Sequence, residues 1–346
     1  MNTPRTLRPQ TSRSSQRTQV VCGLDEAGLG PLLGPLTIGY SAFEVPRSEA
    51  DPWKLLKRVC ARKQGKQSRI VVADSKQVFS RNPRGWKRLE RTALSFTGLG
   101  EREGRPPRSA RAFLFGPLSP TAGWIDRHPW YAELPKLPRV HEAGTIELAT
   151  AALQREFDLQ GMSLLTSGVR LMPAGELNAS LEATGNKGET VWQQVSTVLR
   201  HLWDRFAEQD PEITVDVLGG RMRYGGLLAR SFPETAVEIV REEPEHSAYV
   251  LCERDEAEGT RWFPRRMRIA FRVKGEDHSF AVALASCLAK YAREIAMEAF
   301  NAHFASLQQD LRPTAGYRGD AQRWLEDART AIEASRIDPE LLIRSR

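Results

Sequence analysis

The chain has 346 residues, of which 40% are hydrophobic and 27% charged, and its net charge is +7. That length buries a sizeable core in one large domain or two. No apolar run reaches the roughly 18 residues of a membrane span, and the positive balance favours a polyanionic partner. The four cysteines, Cys22, Cys60, Cys252 and Cys287, lie far apart with no Cys-x-x-Cys pair. They fit neither a zinc site nor a disulfide framework, and point to a reducing interior. The six histidines show no ligand spacing either. Any metal must then be held by oxygen, which suits Mg²⁺ or Mn²⁺.

Residues 1–18 contain Arg5, Arg8, Arg13 and Arg17 and no acid, which predicts a disordered basic tail. An apolar run (Val20, Val21, Cys22, Leu24) then stops at two adjacent carboxylates, Asp25 and Glu26. A turn rich in Gly and Pro follows, and a second apolar run covers Leu36 to Phe43. Both runs predict buried strands. Because side chains alternate along a strand, one acid should face its neighbours and the other the turn. Burying a carboxylate alone costs several kcal/mol, and a metal ion removes that cost. An exposed acid pair at a strand end is the alternative.

Further along, Asp51–Arg62 and Pro83–Phe96 read as helices, and Ile70–Ala73 as a short strand running into Asp74-Ser75-Lys76. Prolines crowd the span Gly98–Leu137, which predicts an irregular, partly ordered insertion. Its Trp124, Trp130 and Tyr131 either pin it to the core or stack on a ligand. A helix over Gly144–Phe157, a strand over Leu164–Leu171 and a turn or helix start at Pro173–Asn178 come next. Thr190–Glu208 reads as an amphipathic helix. Glu212–Leu218 reads as a central strand with Asp216 embedded in it. Ala236–Val240, Ala248–Cys252 and Met267–Val273 are further strands, with the acidic segment Asp255–Gly259 as a hairpin tip. Helices over Phe280–Phe304 and Asp320–Ser335 close the chain. Such alternation of strands and helices predicts an α/β layered fold.

Three places set acids where a solvated face would not. They are Asp25-Glu26, Asp216 and Glu276-Asp277. Asp216 also reads as a buried, hydrogen-bonded aspartate, and Glu276-Asp277 as ordinary acids at a helix start. Two-metal phosphodiester chemistry needs such a set, converging on two divalent ions about 3.5–4 Å apart. It needs no His or Cys nucleophile, and none is apparent.

Gly23-Leu24-Asp25-Glu26-Ala27-Gly28-Leu29-Gly30-Pro31 resembles the opening motif of ribonuclease HII, the type 2 ribonuclease H, written G-I-D-E-A-G-R-G-P. Asp74-Ser75-Lys76 resembles its D-S-K motif. Val273-Lys274-Gly275-Glu276, then Ala285-Ser286-Cys287-Leu288-Ala289-Lys290 and Arg293-Glu294, are similar to V-K-G-D…A-A-S-I-L-A-K-x-x-R-D. Gly316-Tyr317 resembles the start of G-Y-G-T. The order along the chain also agrees.

The resemblance implies a ribonuclease H-like α/β fold, a mixed five-stranded sheet flanked by helices with a helical C-terminal part. On that basis 1–18 is a tail, 19–310 a catalytic domain with an insertion at 97–165, and 311–346 a C-terminal helical segment. It implies an endonuclease for the RNA strand of RNA–DNA hybrids, or for ribonucleotides embedded in duplex DNA, using two Mg²⁺ or Mn²⁺ ions. Asp25, Glu26, Asp216 and Glu276 would be the catalytic metal ligands, with Asp277 the alternative to Glu276. Gly28, Leu29, Gly30, Lys76 and Tyr317 would bind substrate. The resemblance also implies a cytoplasmic monomer with nucleic acid as its partner and no membrane.

The chain departs from the pattern in places. Leu29 stands where the family has Arg, in a loop whose backbone N–H groups can still meet a 2′-OH. Glu276 replaces Asp, Gly319-Asp320 replaces Gly-Thr, and 97–165 has no counterpart. A non-catalytic nucleic-acid-binding relative is the alternative reading, and a nuclease of the same fold for another structure, such as a DNA junction, is a further one. Against the first, every acid position keeps a carboxylate.

Overall fold

In the computed structural model the two opening apolar runs form a hairpin, β1 (Thr18–Ala27) against β2 (Leu36–Pro46), in register from Thr18↔Pro46 to Ala27↔Thr37. The structure describes residues 18–49, 51–65, 68–100, 105–119, 122–254 and 265–345. Positions 1–17 of the basic tail and the hairpin tip Asp255–Gly259 lie outside them. The remaining strands are β3 (Cys60–Ala61), β4 (Ile70–Val71), β5 (Ser163–Met172), β6 (Glu212–Asp216), β7 (Thr235–Glu243), β8 (His246–Glu253) and β9 (Arg266–Arg272).

The main sheet runs β5-β2-β1-β6-β9-β8-β7, while β3 and β4 pair separately. The pairs β1–β6 and β6–β9 are parallel and the other pairs of the main sheet antiparallel, giving a mixed sheet with helices on both faces. Seven strands replace the five that the resemblance implied. The β7–β8 hairpin adds itself to the edge of β9, in register from His246↔Arg272 to Cys252↔Arg266.

One face is covered by the helix Phe280–Leu307, which is buried on nearly every side, as an all-round apolar helix must be. It lies so close that a Cβ on Gly23 would meet Val282 N at 2.1 Å, and one on Gly39 would meet Ala285 O at 2.0 Å. The hydroxyls of Thr37 and Ser41 donate to Ala289 O and Ala281 O, both at 2.9 Å, fastening the helix to β2. The opposite face is covered by the helix Lys187–Phe206. Val191, Val195, Val198, Leu202 and Phe206 form its buried stripe, at helical spacing.

Several predicted elements are redrawn. Only Pro52–Leu55 of the expected helix Asp51–Arg62 is helical, because Cys60 leaves to pair with Ile70 in a short parallel ladder. The last helix is divided at Ala328 into Arg318–Asp327 and Arg329–Ser335. There Gln308 caps both pieces, its amide donating to Asp327 O and its carbonyl accepting from Ala331 N–H. Pro173 introduces a full helix, Ala174–Thr184. Within the proline-rich span, Ala110–Leu114 and Ala122–Asp126 are helical and Pro129–Tyr131 is a 3₁₀ turn. Trp130 and Tyr131 are buried, and the Trp130 ring lies 5.0 Å from Phe300 and 5.8 Å from Phe304. These aromatics pin the span to the core. Among the described residues no helix is long and apolar enough to cross a membrane.

Candidate metal centre

The carboxyl ends of β1, β6 and β9 point the same way, and the acids sit at those ends. The parallel register Leu24↔Val215 sends Asp25 and Asp216 out side by side. Next to them Asp216 pairs with Arg272, so Val273-Lys274-Gly275 leaves β9 beside it. Lys274 takes a left-handed conformation (φ 54°), turning the chain into the short helix Gly275–His278 with Glu276 in its first turn. The Gly275 N–H donates to Asp216 Oδ1 at 3.0 Å. Asp25, Glu26 and Asp216 each offer a carboxylate oxygen within 4.8 Å of the others. Glu276 stands outside this trio, yet close enough that its charge acts on both Asp25 and Glu26. Asp277 is exposed, and its carbonyl accepts from Arg62 at 2.8 Å.

Burial is the main cause that raises all four acids above the usual carboxylate range, and repulsion from neighbouring acids, Asp74 in the case of Asp216, adds to it. Asp25 is pushed well up by burial and by Glu26, against a hydrogen bond from Ser286. Glu26 is pushed up to about 7 by burial and Asp216, while the Lys76 charge works the other way. Oε2 of Glu26 and Oε2 of Glu276 are buried without a hydrogen-bond partner among the described residues. Orphaned anionic oxygens crowded together are what a divalent cation compensates, and an all-oxygen donor set suits Mg²⁺ or Mn²⁺. The residues present therefore fit such an ion. Cys22 and Cys287, whose thiols burial pushes up, are poor nucleophiles.

Ser286 connects the acids to the Asp-Ser-Lys segment, since its hydroxyl also accepts from Ser75 N–H at 3.3 Å. Asp74 caps the helix Ser75–Val78 through Lys76 N–H at 3.0 Å, and its charge reaches Asp216 and Glu276. It is a fifth acid beside the centre that sequence reasoning used only as part of a motif. An apolar run ending in a carboxylate, as at Leu24-Asp25, was the available signal.

The turn after Glu26 is held from beneath by two buried arginines. Gly28 has φ +90°, and a Cβ there would lie 2.8 Å from Pro35 O. Arg344 Nη1 donates to Gly28 O at 2.5 Å and Pro31 O at 3.0 Å. Arg293 donates to the carbonyls of Leu33, Pro35 and Ala315. The N–H groups of Leu32 and Leu33 donate to Gly316 O at 2.7 and 3.2 Å, which sets exposed Tyr317 next to the turn. Leu29 is half-buried and lines a cleft of about 340 Å³ with Leu36, Leu177, Leu181 and Val191. Gly30 is exposed. Sequence reasoning missed Arg344, because nothing in Ile343-Arg344-Ser345 marks a buried cation.

The sequence matches no protein-family model and no curated protein. Solved structures do resemble it. Ribonuclease HII of Archaeoglobus fulgidus, determined in complex with PCNA, is 14% identical with a TM-score of 0.42, over 94% of each chain. Ribonuclease H2 of Pyrococcus horikoshii is 16% identical with a TM-score of 0.40, over 94% of this chain and 92% of that one. Bst-RNase HIII, determined with Mn²⁺, is 14% identical with a TM-score of 0.38, over 99% of this chain and 72% of that one. These three solved structures, to which this chain is similar, are ribonucleases of the HII (H2) and HIII types.

Proposed function

We propose that the protein is a divalent-metal-dependent endonuclease that hydrolyses the RNA strand of RNA–DNA hybrids or cuts at ribonucleotides embedded in duplex DNA. One observation carries this reading. Asp25, Glu26 and Asp216 meet within 4.8 Å, with a buried, unpaired oxygen on Glu26, beside the glycine turn that carries the ribonuclease HII resemblance. Asp25, Glu26 and Asp216 are the metal ligands, with Glu276 rather than exposed Asp277 as the fourth. Ions in that cradle would supply an activated water and a counter-charge for the leaving oxygen. The chain itself fixes the acids on strand ends and crowds them together, so that their anionic form would be favoured by bound cations rather than by the protein alone. It also places Lys76 beside them to hold a phosphate, a contact that weakens with salt. Gly28, Leu29 and Gly30 contact the ribose through backbone N–H groups, and Tyr317 packs on the sugar beside the cut.

The test is a cleavage assay on an RNA–DNA hybrid, a duplex with one ribonucleotide, and all-DNA duplexes and junctions, each with Mg²⁺ or Mn²⁺. Ribonucleotide-containing substrates are expected to be cut by the wild type and left whole by Asp25→Asn and Asp216→Asn. Hybrid that is bound and never cut would make the protein a binding module instead. Cutting of all-DNA junctions alone would make it a nuclease of another specificity.

A further inference from the structure

Arg344 is 8% exposed, and no carboxylate pairs with it among the described residues. Burial and the like charge of Arg293 both press its pKa downward. Burying a cation without a counter-ion is costly, and Leu or Met would fill the same space without that cost. What the guanidinium gains is two carbonyls, Gly28 O and Pro31 O, on either side of the turn. Its own segment is fixed in place. Arg344 N–H donates to Leu32 O at 3.0 Å, and Asn178 clasps Ile343 O at 2.7 Å and Ser345 N–H at 2.8 Å.

A trans peptide points its C=O and N–H in opposite directions. With Gly28 O drawn down to Arg344, the N–H of the same peptide, that of Leu29, is turned away from the guanidinium. Among the described residues the N–H groups of Leu29 and Gly30 have no hydrogen-bond partner. We propose that Arg344 is a positioning residue for substrate recognition: from the C-terminal segment it fixes the Gly28 and Pro31 carbonyls and so aims the Leu29 N–H at the ribose. This rests on the nuclease reading above. It explains how a turn with Leu29 in place of Arg still presents an ordered donor to RNA.

The experiment compares wild type, Arg344→Met and Arg344→Lys, all as full-length protein. Methionine keeps the length and loses the donors, whereas a lysine ammonium can still donate to both carbonyls. Arg344→Met is expected to raise KM for a hybrid about tenfold while kcat changes less than about threefold, as for loss of one well-aimed contact. Arg344→Lys is expected to recover most of that loss, and Mn²⁺ affinity measured by calorimetry to stay constant. An unchanged KM in Arg344→Met, or kcat and Mn²⁺ affinity falling together at constant KM, overturns the proposal. A second measurement is amide hydrogen exchange of wild type with and without bound hybrid, which needs neither turnover nor a folded variant. Protection of the Leu29 amide on binding supports the inference, and unaltered exchange overturns it. An enzyme that cuts nothing yet shows this protection would sink the nuclease reading alone.

Discussion

Gly275 N–H donates to Asp216 Oδ1 at 3.0 Å, which locks the acid that ends β6 to the short helix that carries Glu276. Asp216→Asn keeps that acceptor and removes the charge. We expect the variant to fold as the wild type does, bind Mn²⁺ at least about tenfold more weakly and cut hybrid about a hundredfold more slowly. Calorimetric titration and a gel cleavage assay measure the two effects. Wild-type metal affinity would remove Asp216 from the ligand set.

Crowding of the acids makes stability depend on pH and on metal. Glu26 is held at about 7 in the folded protein, above its unfolded value of about 4.3. Its raised pKa therefore contributes stability that is full at low pH and lost as pH rises toward 7, on the order of 3 kcal/mol. His128, His201, His246 and His303, whose pKa values burial lowers, act in the opposite sense at acid pH. The informative quantity is thus the difference between Glu26→Gln and wild type. In chelator, Glu26→Gln should gain stability over wild type on going from about pH 5 to pH 8. Saturating Mn²⁺ should cancel the gain, because metal binding stabilises only the intact cradle. Denaturant melts at both pH values check this, and parallel curves would show that Glu26 is not strained.

Leu29→Arg places a guanidinium where the ribonuclease HII motif has one. Leu29 is half-buried beside a cleft of about 340 Å³, so the longer side chain can be housed at a cost of about 1 kcal/mol or less. The ratio of kcat/KM for a single embedded ribonucleotide over a continuous hybrid should rise about tenfold, the value of one charge-assisted contact. A flat ratio would show that the leucine is not what sets the preference.

Away from the centre, buried Glu90 accepts from Val140 N–H, His141 N–H and the Tyr291 hydroxyl, each at 2.9 Å, and from Arg139 N–H. Burial acts to raise its pKa, but the His141 ring, whose Nδ1 lies 3.1 Å from Oε2, outweighs it together with these donors and holds the carboxyl below its usual range. Its contribution is present above the unfolded value and lost as pH falls through the folded one. Glu90→Gln should cost about 2–4 kcal/mol by urea unfolding at neutral pH, since it weakens a satisfied buried anion. Cleavage per folded molecule should stay the same.

Asp25 and Glu26 stood out where an apolar run stops on two carboxylates, but the motif resemblance, not the pair alone, marked them as a site; Asp216 was expected inside the strand Glu212–Leu218 and instead ends β6. Strand pairing was not legible, since nothing local records that Leu24 will lie against Val215. The expected helix over Asp51–Arg62 failed for a related reason: the Cys60–Ile70 ladder overrides a helical pattern through contacts remote in sequence. Crowded prolines suggested irregularity at 98–137, and the burial of Trp130 and Tyr131 depends on where the helix Phe280–Leu307 passes. Arg344 was unreadable, as an arginine ordinarily sits in water.

β1 lies beside β6 although the whole segment 28–211 separates them along the chain. Joining such distant stretches is slow and must overcome a large loss of loop freedom. An unfinished polypeptide on the ribosome thus carries Asp25 and Glu26 with nothing to meet them. The acidic trio can form only after Asp216 has emerged and β6 has docked against β1, so a shorter nascent chain holds an unmatched pair of acids.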